Sequence, residues 1–303
     1  MNGIISVLTQ SLILSIMALG IYITYKILDF PDLSVDGSFT LGASVVAVSL
    51  SNGINPLFAT FLTIFVGLIS GFITGVLHIK LKISNLLSGI LVMGMLYSIN
   101  LRIMGKSNIP LFSYNHLFNT KISPIILALI LVIACKICLD LFLKTNLGYS
   151  LKGVGDNPQM IKSLGINIGN ISILGLMISN ALVSLSGGLM AQFQGFADIN
   201  MGIGTLVLGI ASIIIGLSIF SKLTKLKPTT LIILGSSIYQ FTIYLAINFG
   251  LSPNDLKLTT GLVIILFLSL ANFKNSYSIA FKSKFAQNQT FTLDSINLFK
   301  AKN

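Results

Sequence analysis

Apolar stretches long enough to cross a lipid bilayer recur along almost the whole chain. A transmembrane helix needs about 20 predominantly apolar residues, and this criterion predicts nine spans. The nine spans are residues 4–25, 38–52, 55–77, 85–104, 123–143, 169–190, 203–220, 229–249 and 258–273. Because the second span is short and follows a broken segment, we predict eight to ten crossings. The fold predicted is an all-α, polytopic transmembrane helical bundle.

The composition supports a membrane protein and argues against a soluble domain. Hydrophobic residues make up 54% of the 303 residues and charged residues only 9%, which is too few charges for a soluble surface. The net charge of +11 comes from basic residues scattered between apolar runs, so no nucleic acid partner is expected. With no Glu, and with His78 and His116 in separate loops, neither catalytic residues nor a metal site is expected.

Basic residues in the short loops predict the orientation of the bundle. Lysines recur around residues 80–82, 144–162, 222–227 and 274–284, in loops that pairs of spans separate. Loops rich in Lys and Arg face the cytoplasm, so all four are predicted there. With nine spans the N-terminus lies outside, whereas a tenth would place it inside. We predict a multi-pass membrane protein with a transmembrane domain over 1–274 and a polar cytoplasmic tail over 275–303 near anionic lipid.

The stretch from Phe30 to Ala43 breaks an apolar run and places two carboxylates at membrane depth. Pro31 lacks a backbone donor, so the backbone here is predicted to unwind. Hydrocarbon tolerates an unwound backbone only where it lines protein or a water-filled path. Because charged residues inside a membrane are usually functional, we predict that Asp32, Ser34 and Asp36 line a translocation path. Helix capping at the interface is the structural alternative.

A second segment repeats this pattern 166 residues later. Asp198-Ile199-Asn200-Met201 is similar to Asp32-Leu33-Ser34-Val35, and both precede a glycine-rich helix. The equivalent helices are the second and the seventh predicted spans, five positions apart in order, so the second copy would be inverted in the membrane. Inverted repeats with broken helices at their interface are a recurrent transporter design. Asp198 and Asn200 therefore join the predicted path, although four loosely similar positions also fit coincidence.

The span 229–249 carries polar residues at every fourth position. Lipid would leave such groups without partners, so the stripe is predicted to face the bundle interior or a pore. Gln240 and Tyr244 are assigned to the path, with hydrogen bonding between helices as an equal alternative. The stripe consists of Ser236, Gln240, Tyr244 and Asn248, and Asn180 and Ser184 form a smaller one.

Two further patterns indicate packing between helices. Gly67, Gly71 and Gly75 recur every fourth residue, and such a face allows two helix backbones to approach closely. Lys136 and Asp140 are also four residues apart and are predicted to form a structural ion pair along their helix.

The loop 151–167 carries the signals of a short helix. Asn157 is a predicted N-cap, Pro158 the first helical residue and Gly165 a left-handed stop. The helix would have about two turns, which is marginal in water, so the bundle or a partner must hold it. Its apolar residues are predicted to share one side: Met160, Ile161 and Leu164.

Together these two segments resemble the permease subunits of ATP-binding-cassette importers of the branched-chain amino-acid and ribose type. In that family an Asp-Leu-Ser-Val-Gly-like segment sits in the second helix, and here it is residues 32–37 with Asp36 inserted. The longer form over 31–43 and the segment 252–257 are most similar to a branch linked to tryptophan and tyrosine uptake. The family's central loop carries Gly-x-Asn-Pro and then Gly-Ile, here Gly155, Asn157, Pro158, Gly165 and Ile166.

The resemblance implies a permease of a bacterial-type plasma membrane that imports a small polar solute. The expected solute is an aromatic or branched-chain amino acid. Residues 153–166, within the loop 144–168, would form a coupling helix that docks on a separate ATP-binding subunit. The chain has no Gly-x-x-x-x-Gly-Lys-Ser/Thr phosphate loop, so ATP with Mg²⁺ would bind the partner and no cofactor is expected in this chain. An extracytoplasmic substrate-binding protein and a second permease protomer are the other implied partners. The coupling residues are Gly155, Asp156, Asn157, Pro158, Met160, Ile161, Leu164 and Gly165.

An ion-gradient-driven secondary transporter is the alternative from another class. It would work without ATPase subunits, and it would need Asp32, Asp36 or Asp198 to titrate during transport.

Overall fold

The computed structural model of the chain describes residues 2–119, 122–220 and 226–250, and beyond these only Leu258, Gly261, Leu262, Ile265 and Ser269. Contacts divide the chain into two units, Met1–Leu251 and Ser252–Asn303. Most of the predicted span 258–273 and the whole predicted tail 275–303 lie outside the described residues.

Long apolar helices account for the predicted spans of the first unit, which confirms the all-α prediction. Seven of the described helices are long and apolar enough to cross a membrane, and α9 is a shorter apolar helix. A π-helical turn, Ile23–Ile27, continues α1. The α-helices are α1 Asn2–Tyr22, α2 Ser34–Ser51, α3 Pro56–Ile79, α4 Asn85–Met104, α5 Pro124–Phe142, α6 Asn146–Asp156, α7 Pro158–Ser163, α8 Ile168–Gln194, α9 Thr205–Ile219 and α10 Pro228–Asn248.

The break after the first span is shorter than the sequence predicts. Only residues 28–33 leave the helical conformation, and α2 already begins at Ser34. The Asp32 carboxylate accepts a hydrogen bond from the Ser34 N–H at 2.9 Å, which satisfies a donor of the first turn. Gly37 is helical and does not break α2. Its lack of a side chain allows close packing, since a Cβ there would meet Leu96 of α4 at 2.9 Å. The predicted start of this span at residue 38 is therefore four residues too late.

Hydrogen bonds between helices show how the helices alternate in direction. The Ser179 hydroxyl donates to the Gly20 carbonyl and the Ser186 hydroxyl to the Ile13 carbonyl, both at 2.8 Å. Rising numbers on α8 thus meet falling numbers on α1, so these helices are antiparallel. Helix α8 lies centrally, because α1, α2 and α3 all pack against it.

The two ends of the bundle differ in charge and in structure. We call the end that carries α6, α7, Lys80 and Lys227 the basic end, and the positive-inside bias predicts that it is cytoplasmic. At the opposite end the strands β1 Asn108–Pro110 and β2 Phe196–Asp198 form an antiparallel pair. We call this the strand end. The sequence analysis did not predict the strand pair, because three-residue strands have no periodic signal.

The glycine face of α3 packs against α8, as predicted. A Cβ at Gly67 or at Gly71 would overlap the carbonyl oxygen of Asn180 or of Leu176, respectively. Gly75 lies against Ile173 in the same way. The two backbones are therefore in direct contact over more than two turns.

The predicted ion pair in α5 exists and belongs to a larger cluster. The Asp140 carboxylate accepts from the Lys136 ammonium at 2.9 Å, from the Lys227 ammonium at 2.8 Å and from the Thr229 hydroxyl at 2.7 Å. Lys227 and Thr229 flank the first residue of α10, so this cluster joins α5 to α10 at the basic end.

Removing the acceptor of this cluster should destabilise the bundle more than removing one donor. Asp140→Ala is expected to cost about 1–2 kcal/mol, since it leaves the nearly buried Thr229 hydroxyl without its acceptor. Lys136→Ala should cost clearly less, because its ammonium is partly exposed. Thermal unfolding of both variants in detergent measures the difference, and equal losses would contradict the assignment.

Candidate functional site

The two segments that interrupt the bundle meet at the start of α9. The Asp36 carboxylate, in the first turn of α2, accepts hydrogen bonds from the Gly204 N–H and the Leu206 N–H, both at 2.9 Å. It also accepts from the Thr205 hydroxyl at 3.0 Å. The first N–H groups of a helix lack partners within the helix and carry partial positive charge. Asp36 therefore caps α9 from a different helix.

A second contact joins the same two segments. The Thr40 hydroxyl oxygen accepts from the Gly202 N–H at 3.1 Å, and it donates to the Asp36 carbonyl at 3.2 Å. Helix α9 has 15 residues, or about 22 Å at 1.5 Å per residue, which is less than the roughly 30 Å of a hydrocarbon core. Asp36, Thr40 and residues 202–206 form the junction of α2 and α9.

Asp32 is buried beside this junction and binds α8. Its side chain is 0% exposed, and its carboxylate accepts from the Asn180 side-chain amide at 2.8 Å as well as from the Ser34 N–H. The Ser34 hydroxyl donates to the Asn180 amide oxygen at 3.3 Å. This Asp32–Ser34–Asn180 group fastens the start of α2 to the middle of α8, because a buried carboxylate without donors would be very costly.

The predicted internal repeat has a matching local geometry. The Asp198 carboxylate accepts from the Asn200 N–H at 2.8 Å, two residues on, as Asp32 does from Ser34. The other Asp198 oxygen accepts from the Asn108 side-chain amide at 3.3 Å, across the β1–β2 pair. At the strand end, Asp198 is half-buried and Asn200 is exposed. Their place in a translocation path stays a prediction.

The polar stripe of α10 faces α1. The Ser236 hydroxyl donates to the Ser11 carbonyl at 2.9 Å, and the Tyr244 ring lies beside Gly3. Gln240 is buried between these levels. These contacts favour bonding between helices over pore lining, and the path assignment of Gln240 and Tyr244 stays a prediction.

The predicted short helix forms at the basic end with its predicted caps. The Asn157 side chain accepts from the Met160 N–H at 3.1 Å, and Gly165 has the left-handed φ of +77°. The single apolar side is wrong, however: Ile161 is 6% exposed, whereas Met160 is 59% and Leu164 62% exposed. Ile161 points the other way because it packs on Gly153 of α6. Two large apolar side chains are thus left without a covering element among the described residues.

Helix α6, which the sequence analysis did not predict, connects α7 to the first break. The Thr145 hydroxyl accepts from the Gly148 N–H at 3.3 Å at its start. Near the end of α6, Gly155 lies directly against the carbonyl of Ile27. Ile27 is the last residue of the π-helical turn. Only glycine allows this contact, so α6 and α7 are fixed to the residues that precede the break.

Comparison with known proteins places these features in one family. Residues 3–269 match the permease component of branched-chain amino acid transport systems. The tyrosine transport system permease protein of Clostridioides difficile is 72% identical over 276 residues, which cover 91% of this chain and 94% of that protein. An uncharacterized protein of Rickettsia prowazekii is 39% identical over 280 residues, or 90% and 99% of the two chains.

A more distant similarity links the chain to a permease for another kind of solute. The autoinducer 2 import system permease protein of Photorhabdus luminescens is 27% identical over 198 residues, covering 61% of this chain and 57% of that protein. No solved structure matches the chain.

Proposed function

The chain belongs to the family of branched-chain amino acid transport system permeases, and from that premise we propose that it is the membrane subunit of an ATP-driven importer of an aromatic amino acid. Tyrosine is the first candidate substrate, since a relative that is 72% identical over 91% of this chain is a tyrosine transport permease. A permease is not by itself an enzyme. The ATP that drives transport is proposed to bind, with Mg²⁺, to a separate subunit.

The observation that carries this proposal is the exposed apolar pair on α7. Met160 lies in α7 and Leu164 is the C-cap residue directly after it, and this helix is capped at Asn157 and anchored through Ile161. Large apolar side chains held outward between polar residues are typical of a docking site. Lys162 adds positive charge beside them. This surface suits a groove of an ATP-binding subunit with an apolar floor.

The connections of α7 provide a route from such a partner to the membrane path. Helix α6 lies between α7 and Ile27, through the contacts of Gly153 and Gly155. Movement of the coupling segment would therefore reach the break at residues 28–33 and the start of α2. We further propose that a substrate-binding protein docks at the strand end and that a second copy of this chain completes the pore.

Co-purification from the native membrane tests the docking site. The tagged chain is expected to retain a subunit that carries the Gly-x-x-x-x-Gly-Lys-Ser/Thr phosphate loop, identified by mass spectrometry. The double variant Met160→Asp with Leu164→Asp should retain less than about a tenth of it, since burying each side chain contributes about 1.5–3 kcal/mol.

Phe112→Asp is the matched control, because Phe112 is at least as exposed but lies in the loop after β1 at the strand end. It should retain the ATP-binding subunit like the unaltered chain. Equal retention by the α7 double variant would contradict the docking site, and absence of any such subunit would contradict the ATP-driven mechanism.

A further inference from the structure

Asp32 and Asp36 are four residues apart in the sequence but lie in opposite environments. Asp32 is wholly buried and its partners belong to α2 and the middle of α8. Asp36 is half-buried, and its bond to the Gly204 N–H lies at an exposed position. A carboxylate that water can reach can exchange its protein donors for water at small net cost, whereas a buried one cannot. The first contact is suited to be permanent and the second to be reversible.

Gly204, which Asp36 binds at the start of α9, has a backbone conformation that suits a hinge. Gly204 has a φ of +90°, a conformation that favours glycine. A Cβ at this position would meet no atom within 4 Å. The side-chain side of Gly204 is therefore open, although its N–H is bound by Asp36. Rotation about the Gly204 backbone would move the N-terminus of α9 away from α2.

We propose that Asp36 is a positioning residue for transport: its carboxylate latches the N-terminus of α9 to α2 in one state of the cycle and releases it in the other. This proposal rests on the proposed function, because it assigns the latch to alternating access. The Asp32–Ser34–Asn180 group keeps α2 on α8 throughout. Movement that reaches the break at residues 28–33 then shifts α2 relative to α9, and the Asp36 contacts are the ones that open.

Hydrogen exchange of the peptide over residues 202–208 measures the latch directly. In the chain alone, Asp36→Asn places an amide N–H₂ against backbone donors and is expected to accelerate exchange there at least about tenfold. Asp36→Glu keeps the charge and should recover part of the protection. Asp29→Asn is the control, since Asp29 is exposed in the nearby break, and it should leave this peptide unchanged.

The same peptide in the assembled transporter separates a latch from a static cap. With the ATP-binding subunit present, adding ATP, Mg²⁺ and vanadate traps ADP and vanadate in that subunit after one hydrolysis. This trapped state is expected to increase exchange over 202–208 in the unaltered chain. Asp36→Asn should show fast exchange with or without ATP, and it should hydrolyse more ATP per solute moved. A static cap would leave the unaltered peptide equally protected in both states.

Three results would overturn the latch: unchanged exchange in Asp36→Asn, protection that ATP does not alter, or an unchanged ratio of ATP hydrolysed to solute moved. Failure of the proposed function gives a different result. In that case no ATP-binding subunit assembles at all, whereas the latch alone fails when that subunit assembles and ATP leaves the exchange over 202–208 unchanged.

Discussion

Gly71→Leu is expected to prevent accumulation of the folded protein. A side chain at this position would overlap the Leu176 carbonyl on α8, and the helix backbones cannot separate without losing the contacts of Gly67 and Gly75 on either side. Overpacking typically costs about 1–3 kcal/mol, and overlap with backbone, which has no other rotamer to adopt, should cost at least about 3 kcal/mol.

Gly94→Leu is the matched control for this variant. Gly94 is also helical, in α4, but a Cβ there would meet no atom within 4 Å. Replacing a helical glycine gains up to about 1 kcal/mol in helix propensity, so this variant should be at least as stable as the unaltered chain. Yield and thermal stability of the two in detergent decide the matter, and similar losses at both positions would contradict the α3–α8 packing.

Asp32→Asn is expected to destabilise the protein by about 3 kcal/mol. Both carboxylate oxygens accept hydrogen bonds, one from the Ser34 N–H and one from the Asn180 amide. An Asn side chain has one acceptor oxygen and must turn its N–H₂ toward one of these donors. A buried donor is then left without an acceptor, and two N–H groups face each other.

Exchanging the two side chains separates this effect from a general loss of charge. Asp32→Asn combined with Asn180→Asp restores a donor opposite an acceptor and should recover part of the lost stability, as measured by thermal unfolding. Asp29→Asn removes a carboxylate at an exposed position and should change stability by less than about 0.5 kcal/mol. A swap that is no more stable than Asp32→Asn would show that the pair does not act as described.

The helices could be predicted from the sequence because a membrane imposes a length and an apolar composition on each span. The predicted 55–77, 85–104 and 123–143 agree within two residues with α3, α4 and α5. The caps of α7 were also predicted, since Asn157, Pro158 and Gly165 specify them through local backbone chemistry. Local signals of this kind depend on few neighbours.

The partners of the two carboxylates could not be predicted, because they depend on contacts between distant helices. The sequence marks Asp36 as unusual, but nothing in it indicates that its acceptor oxygens meet residues 204–206. The start of α2 was placed too late for a related reason, since the bond from Ser34 to Asp32 replaces a missing helical partner. Similarly, the burial of Ile161 follows from α6, a helix whose polar sequence gave no span signal.

The most direct test of the account is uptake into proteoliposomes that contain this chain, its co-purified ATP-binding subunit and a substrate-binding protein. With labelled tyrosine outside, accumulation is expected only when ATP is enclosed on the side of the basic end, and it should cease with a non-hydrolysable analogue. Accumulation by this chain alone, driven by an imposed proton or sodium gradient without ATP, would contradict the account and show that the protein is a secondary transporter.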